Sequence, residues 1–332
     1  MQFNRSGKLP NRLVYTIATL LTLLIAVSVV PIFAGSQGYD TSGTQVTVKQ
    51  DPGKTVYWVL PGKRELSKED FGTPADPINT GEIVMNKAKG PVKDLLEKLP
   101  VLVGVPVDLR EVNDAGTAYT TTSIPTPFGD NGRIVKGQFR ATFTDRQPYD
   151  NYPGNSGKDA LDASVQFSDP QGNEYTIRFK KLIQPPIPYY ESGGGIITNT
   201  WHHGNTGTGT PLMPRVYTYA ASWSLADVMI NGKVADRNKV VHIMTTQTVR
   251  DKDYHLVTEN RLPLSKDETI AGQIHETHLI VLPITVTDQG PKYAPVKSAF
   301  TLPNGKQQPF IHIMYEQDQI VHAPFIASES MK

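Results

Sequence analysis

The chain is 332 residues long with a formal charge of +1, 38% hydrophobic residues, 27 glycines, 26 prolines and no cysteine. That length exceeds one ordinary hydrophobic core, and the density of Gly and Pro suits many short strands better than long helices. Lack of cysteine excludes disulfides, thiolate metal ligands and Cys nucleophiles, and the near-zero charge gives no basis for nucleic acid as a partner.

Residues 1–34 carry Arg5, Lys8 and Arg12 and no acid, followed by an apolar run from Leu13 to Ala34. This pattern predicts a signal peptide or a membrane anchor. Pro31 and the small residues Ala34, Gly35 and Ser36 suit cleavage, and the length of the run suits an anchor. Either way the rest of the chain is expected outside the cytoplasmic membrane, periplasmic or extracytoplasmic, with the membrane a partner through an uncleaved segment. Setting aside residues 1–34 leaves 30 basic residues against 32 acidic ones, a formal balance of −2.

From residue 45 onward, period-two runs of β-branched and aromatic residues predict strands at 45–49, 55–60, 101–109, 133–144, 162–168 and 174–183. A helix is expected over 91–99, with Pro91 in its first turn and Val92, Leu95, Leu96 and Leu99 as its apolar stripe. Asp-Asn-Gly at 130–132, Asp-Pro-Gln-Gly-Asn at 169–173, Asn-Gly at 231–232 and Pro-Asn-Gly at 303–305 lie between strand-prone runs and predict tight turns. The fold class is therefore all-β, an antiparallel hairpin-rich sandwich or barrel. The Pro- and Gly-rich stretch 183–195 divides it into two expected tandem domains, 35–188 and 189–332. Phe-x-x-Pro-x-Gly occurs on each side, at Phe167–Gly172 and Phe300–Gly305, and suggests an internal duplication.

Ala-Asp-Val-Met-Ile-Asn-Gly-Lys-Val (226–234) resembles a hairpin of galactose-binding-like jelly-roll domains, some of them attached to glycoside hydrolases. The resemblance covers nine residues and implies a β-sandwich. Tandem lipocalin-like barrels fit the two-unit reading equally.

All eight histidines lie beyond residue 200. His-Ile-Met occurs twice, at 242–244 and 312–314. Strand alternation puts His242, Met244 and Thr246 on one face and His312, Met314 and Glu316 on another. If those faces adjoin, two imidazoles and two thioethers form a soft ligand set suited to copper, with His278 a further ligand. His275 and His278 fall on opposite faces of a strand, and the spacing of a zinc-protease helix is absent. Trp201, His202 and His203 head a Gly/Thr-rich loop whose backbone amides could cradle an anion or a sugar ligand, with Trp201 as its stacking face. The loop 145–159 has the Asp and Asn residues for calcium but not the alternating spacing of an EF-hand. No catalytic motif stands out. The expected function is a non-catalytic binding or interaction role in the cell envelope, toward a protein or small-molecule ligand. The alternatives are copper binding by His242, Met244, His278, His312 and Met314, and an enzyme acting on carbohydrate or lipid.

Overall fold

The computed structural model describes residues 44–102, 104–146, 159–185, 195–206, 209–247 and 275–322. The export segment, most of the 145–159 loop with its calcium expectation, and His255 lie outside the described residues. Among the described residues, no helix is long and apolar enough to cross a membrane.

The protein is mostly strand, and thirteen strands join in one curled antiparallel sheet. In chain order its main strands are β1 (Thr44–Gln50), β2 (Val56–Val59), β7 (Gly132–Val135), β8 (Gly137–Asp145), β9 (Ala160–Ser168), β10 (Glu174–Leu182), β11 (Ile196–His202), β12 (Val216–Ile230), β13 (Lys233–Gln247), β14 (His275–Thr287), β15 (Gly290–Tyr293), β16 (Ile311–Tyr315) and β17 (Gln319–His322). The short pairs β3 (Gly72–Thr73) with β4 (Asp76–Pro77), and β5 (Arg110–Val112) with β6 (Tyr119–Thr122), stand apart. Hydrogen bonding runs in the order β17, β1, β8, β9, β10, β12, β13, β14, β16, β2, β7, while β11 adds to β12 and β15 to β14.

The two ends of this order meet through the chain itself. β16 continues past Glu316 into β17, and β1 continues past Gln50 into β2. The corner is fastened by Gln317 N–H donating to Gln50 Oε1 at 2.8 Å and Thr55 N–H donating to Gln317 Oε1 at 2.8 Å.

Alternation explains the inner core. Phe139, Ala141 and Phe143 of β8, Val165 and Phe167 of β9, and Tyr175 and Ile177 of β10 point inward and are buried with Trp58, Ile243, Leu279 and Ile313. Trp58 is packed between Tyr175 and Phe300, each ring centroid 5.5 Å away, and Phe167 at 6.1 Å. Each such aromatic contributes about 1.5–3 kcal/mol through burial.

Strands β12, β13 and β14 are buried on both faces over much of their length. Their outer face is covered by residues 60–102, 104–131 and 209–215. Phe71, Leu95, Leu96, Leu102, Val105, Phe128, Leu212 and Met213 pack there on Trp223, Val240, Met244, Ile280, Leu282 and Ile284. The helix expected over 91–99 is present as Pro91–Lys98, with Leu95 and Leu96 buried. Arg110 ties the cover together by donating to the carbonyls of Val105, Phe71 and Ile78, with its guanidinium over the Phe71 and Tyr119 rings.

Two sequence expectations need correction or restatement. Residues 101–109 are not a strand: 3-10 turns occupy Pro100–Leu102 and Val107–Leu109, and Gly104 sits at φ +120° between them. Gly104 and Pro106 break the extended run, and Val101, Leu102 and Val105 are buried in the outer cover instead. The division into domains 35–188 and 189–332 finds no confirmation, because the sheet crosses it: β10 pairs with β12, and β16 pairs with β2. All described residues fall within one compact unit. The two Phe-x-x-Pro-x-Gly turns both direct a phenylalanine onto Trp58, but only the first joins a pair of adjacent strands.

Candidate metal centre

The two His-Ile-Met strands are not neighbours. β14 lies between them and pairs with both, setting Met244 opposite His278 and His278 opposite Met314, and His242 opposite Ile280 and Ile280 opposite His312. Directly opposed residues share a face, so the expected faces of β13 and β16 do look the same way, toward the outer cover. His203, His242, Met244, His278 and His312 line one cavity there, with Leu102, Phe128, Met213, Trp223 and Ile280 among its apolar walls. About 40 Å³ of it is open to the centre of a water molecule, which exceeds what one water needs. Met314 is buried on the same face in a small cluster with Val59 and Tyr57.

His203 lines this cavity, and His202 packs against His203 and His242 rather than sharing a face with Trp201. Consecutive residues of a strand point to opposite faces, but β11 ends at His202, and His203 adopts φ +64° with Gly204 at φ +53°. Histidine is among the non-glycine residues that tolerate this left-handed conformation. The turn swings the His203 ring alongside His202, the centroids 4.1 Å apart and the planes 21° from parallel. Gly209, at φ +77°, passes so close that a Cβ there would lie 2.6 Å from His202 Nε2 and from His203 Nδ1. Trp201, on the other side of β11, is 49% exposed, with Tyr217 at its edge and the Arg215 guanidinium over its ring. The three residues therefore do not share one ligand-binding surface.

His202, His203 and His242 each bring a ring nitrogen within 4.8 Å of the other two, and all three rings are buried. His203 Nδ1 lies 3.1 Å from the Thr210 carbonyl and His242 Nδ1 lies 2.9 Å from the Ser222 carbonyl. A carbonyl only accepts, so each Nδ1 carries the hydrogen and donates it. The Nε2 atoms of the two neutral rings then present lone pairs, and both face the Met244 sulfur, at 3.3 Å from His203 and 3.2 Å from His242. Burial pushes the His203 imidazole down to about 3, helped by His242 and His278 and opposed by the Thr210 carbonyl. Burial likewise lowers His242 to about 4, and holds His202 well below its ordinary value. These rings are neutral at physiological pH. His202 Nδ1 meets no hydrogen-bond partner among the described residues.

Trp223 stacks on His242, centroids 4.1 Å apart and 21° from parallel, and fixes its plane. Next to this group His278 Nε2 lies 2.7 Å from Glu276 Oε1, His278 Nδ1 lies 3.2 Å from His312 Nε2, and His312 Nδ1 lies 2.9 Å from the Pro127 carbonyl. His275 is on the opposite face of β14, as alternation predicts, with Nδ1 2.6 Å from Asp318 Oδ1. The contribution of His202 and His203 to a His/Met group is the part sequence reasoning missed. Its one local signal is His-His-Gly at a strand end, where a left-handed turn redirects the second ring. The chain matches no protein family, no curated protein and no solved structure.

Proposed function

We propose that this is a non-catalytic copper-binding protein, its ion held by His203 Nε2, His242 Nε2 and Met244 Sδ with a ring nitrogen of His202 as fourth donor. The observation that carries this reading is the meeting of two deprotonated imidazole nitrogens with a thioether sulfur at 3.2 and 3.3 Å. A thioether has no hydrogen to give, so the three atoms are acceptors pointed at one another in a buried space, an arrangement a cation relieves. Donors sharing an ion at about 2.0–2.3 Å lie about 3.5 Å apart at a tetrahedral angle, close to the observed spacing. Carbonyl partners on the remote Nδ1 atoms are the outer-shell contacts that orient metal-bound histidines.

Neutral imidazoles with a thioether select copper, in its monovalent state above all, and disfavour magnesium and calcium. Four protein donors leave no open position for a substrate, which favours holding the ion over chemistry on it. The basic and apolar residues 1–34 support an envelope location, where copper is met outside the cytoplasm.

The test is a monovalent-copper titration of the purified full chain against a chromophoric chelator, repeated on Met244→Leu. Leucine nearly conserves the volume, so the fold should persist. Copper uptake is expected in the wild type, weakened at least ~10-fold in the variant, since losing even an outer-shell contact has that effect. Failure of the wild type to take up copper at micromolar concentration, or the same number of ions bound with the same affinities in both proteins, would sink the reading.

A further inference from the structure

We infer that the cavity accepts a second soft-metal ion, between His278 Nδ1 and His312 Nε2, making the protein a two-ion centre. This rests on the copper reading above and extends it to a separate pair of ligands. His312 Nδ1 donates to the Pro127 carbonyl at 2.9 Å, which leaves Nε2 as its lone pair. His278 Nε2 faces the Glu276 carboxylate at 2.7 Å and donates to it, which in the neutral form of the ring leaves Nδ1 as its lone pair. Those two lone-pair nitrogens confront each other at 3.2 Å. At the first group a carbonyl lies behind each ring and a thioether faces both; here a carbonyl lies behind one ring and a carboxylate behind the other.

A cation between the facing nitrogens satisfies all three contacts at once. The carboxylate, histidine and metal then form the chain that commonly fixes a metal-bound imidazole. Two monovalent ions would add two positive charges to a buried space, and Glu276, itself fully buried, supplies a compensating negative charge. Met314 lies opposite His278 in register and on the same face, but packs with Val59 and Tyr57 outside the cavity lining. The two groups share one cavity, into which His203, His242, His278 and His312 all project. The first ion takes His203, His242 and Met244, and the second takes His278 and His312. The alternative occupant of the gap between His278 and His312 is a proton, and the experiment separates the two.

The experiment is the stoichiometry of monovalent copper on the full chain, by metal analysis after equilibration with excess copper and gel filtration. It is done for the wild type, Met244→Leu and His312→Gln, with circular dichroism checking that each is folded. Two ions are expected in the wild type and one in His312→Gln. The second site should also take up copper in Met244→Leu. The wild-type count needs no variant, so misfolding of His312→Gln leaves the test intact. A single ion in the wild type overturns the inference; if that ion persists in His312→Gln, a proton occupies the second gap and the copper reading stands. No ion at all overturns both.

Discussion

At the scale of single residues, the candidate site depends on one backbone angle. His203 at φ +64° turns a side chain inward that strand alternation would send outward. His203→Asn keeps a residue tolerant of that angle and removes the imidazole. It is therefore expected to fold with a thermal midpoint near that of the metal-free wild type and to lose most of its copper affinity, read by the same chelator competition. His242 and Met244 were legible in the sequence, because period two alone assigns them to one face. His203 was not, because its direction depends on a turn whose angle no pattern of apolar residues reports.

The buried imidazoles also set a pH response of the metal-free protein. Their ordinary value of 6.5 applies in the unfolded chain, while folding lowers His242 to about 4 and His203 to about 3. Between these values the unfolded state binds more protons than the folded one, so stability is complete above pH ~6.5 and declines as the pH falls toward 4. For His242 alone the loss amounts to about 3 kcal/mol by pH 4. Urea midpoints of the metal-free chain should fall steadily between pH 7 and 4.5. A flat profile would show that these rings are not desolvated in the folded state.

At the scale of elements, turns and alternation were readable and strand order was not. Asn231 at φ +50° and Gly232 at φ +76° form the tight turn that the Asn-Gly pair predicts, and the helix at 91–98 follows from its proline and leucine spacing. Nothing local to β13 or β16 says that β14 lies between them, since pairing partners far apart in the chain are chosen by packing of the whole sheet. Residues 101–109 misled because valine-rich composition signals burial as well as strand, and here burial won.

The segment before β12 gives an element-scale prediction. Gly209 combines φ +77° with a Cβ position 2.6 Å from the His202 and His203 rings. Gly209→Ala is expected to cost more than ~1 kcal/mol, from backbone strain, and in addition to displace both imidazoles. Its copper affinity should therefore fall without any donor atom having been removed. By contrast, Gly232 has nothing within 4 Å of its Cβ position, so Gly232→Ala should lower stability and leave copper affinity alone. Equal copper affinity in Gly209→Ala and the wild type would separate the segment from the site.

At the scale of the whole molecule, one sheet spans the stretch that looked like a linker. Proline and glycine at 183–195 suggested a boundary, but composition reports local stiffness and not which strands pair across it. A single cooperative unfolding transition is expected for the metal-free chain, followed by circular dichroism and tryptophan fluorescence together. Two separated transitions would support the two-domain reading. Copper at a hundred times its dissociation constant should stabilise the folded state by about 2.7 kcal/mol and raise the midpoint by roughly 5–10 °C, because the donors come from separate strands that unfolding would part.

The ladder from β13 through β14 to β16 has a further consequence. Val241–Gln247 pairs with His275–Val281 without interruption, and Thr277–Val281 pairs likewise with Ile311–Tyr315. A slip of one residue in either pairing would send a whole set of donors to the opposite face. A chain misassembled in this way would keep its strands, its composition and much of its burial, yet be blind to copper. Copper uptake from solution would then report the correctness of strand pairing, a property that circular dichroism does not distinguish.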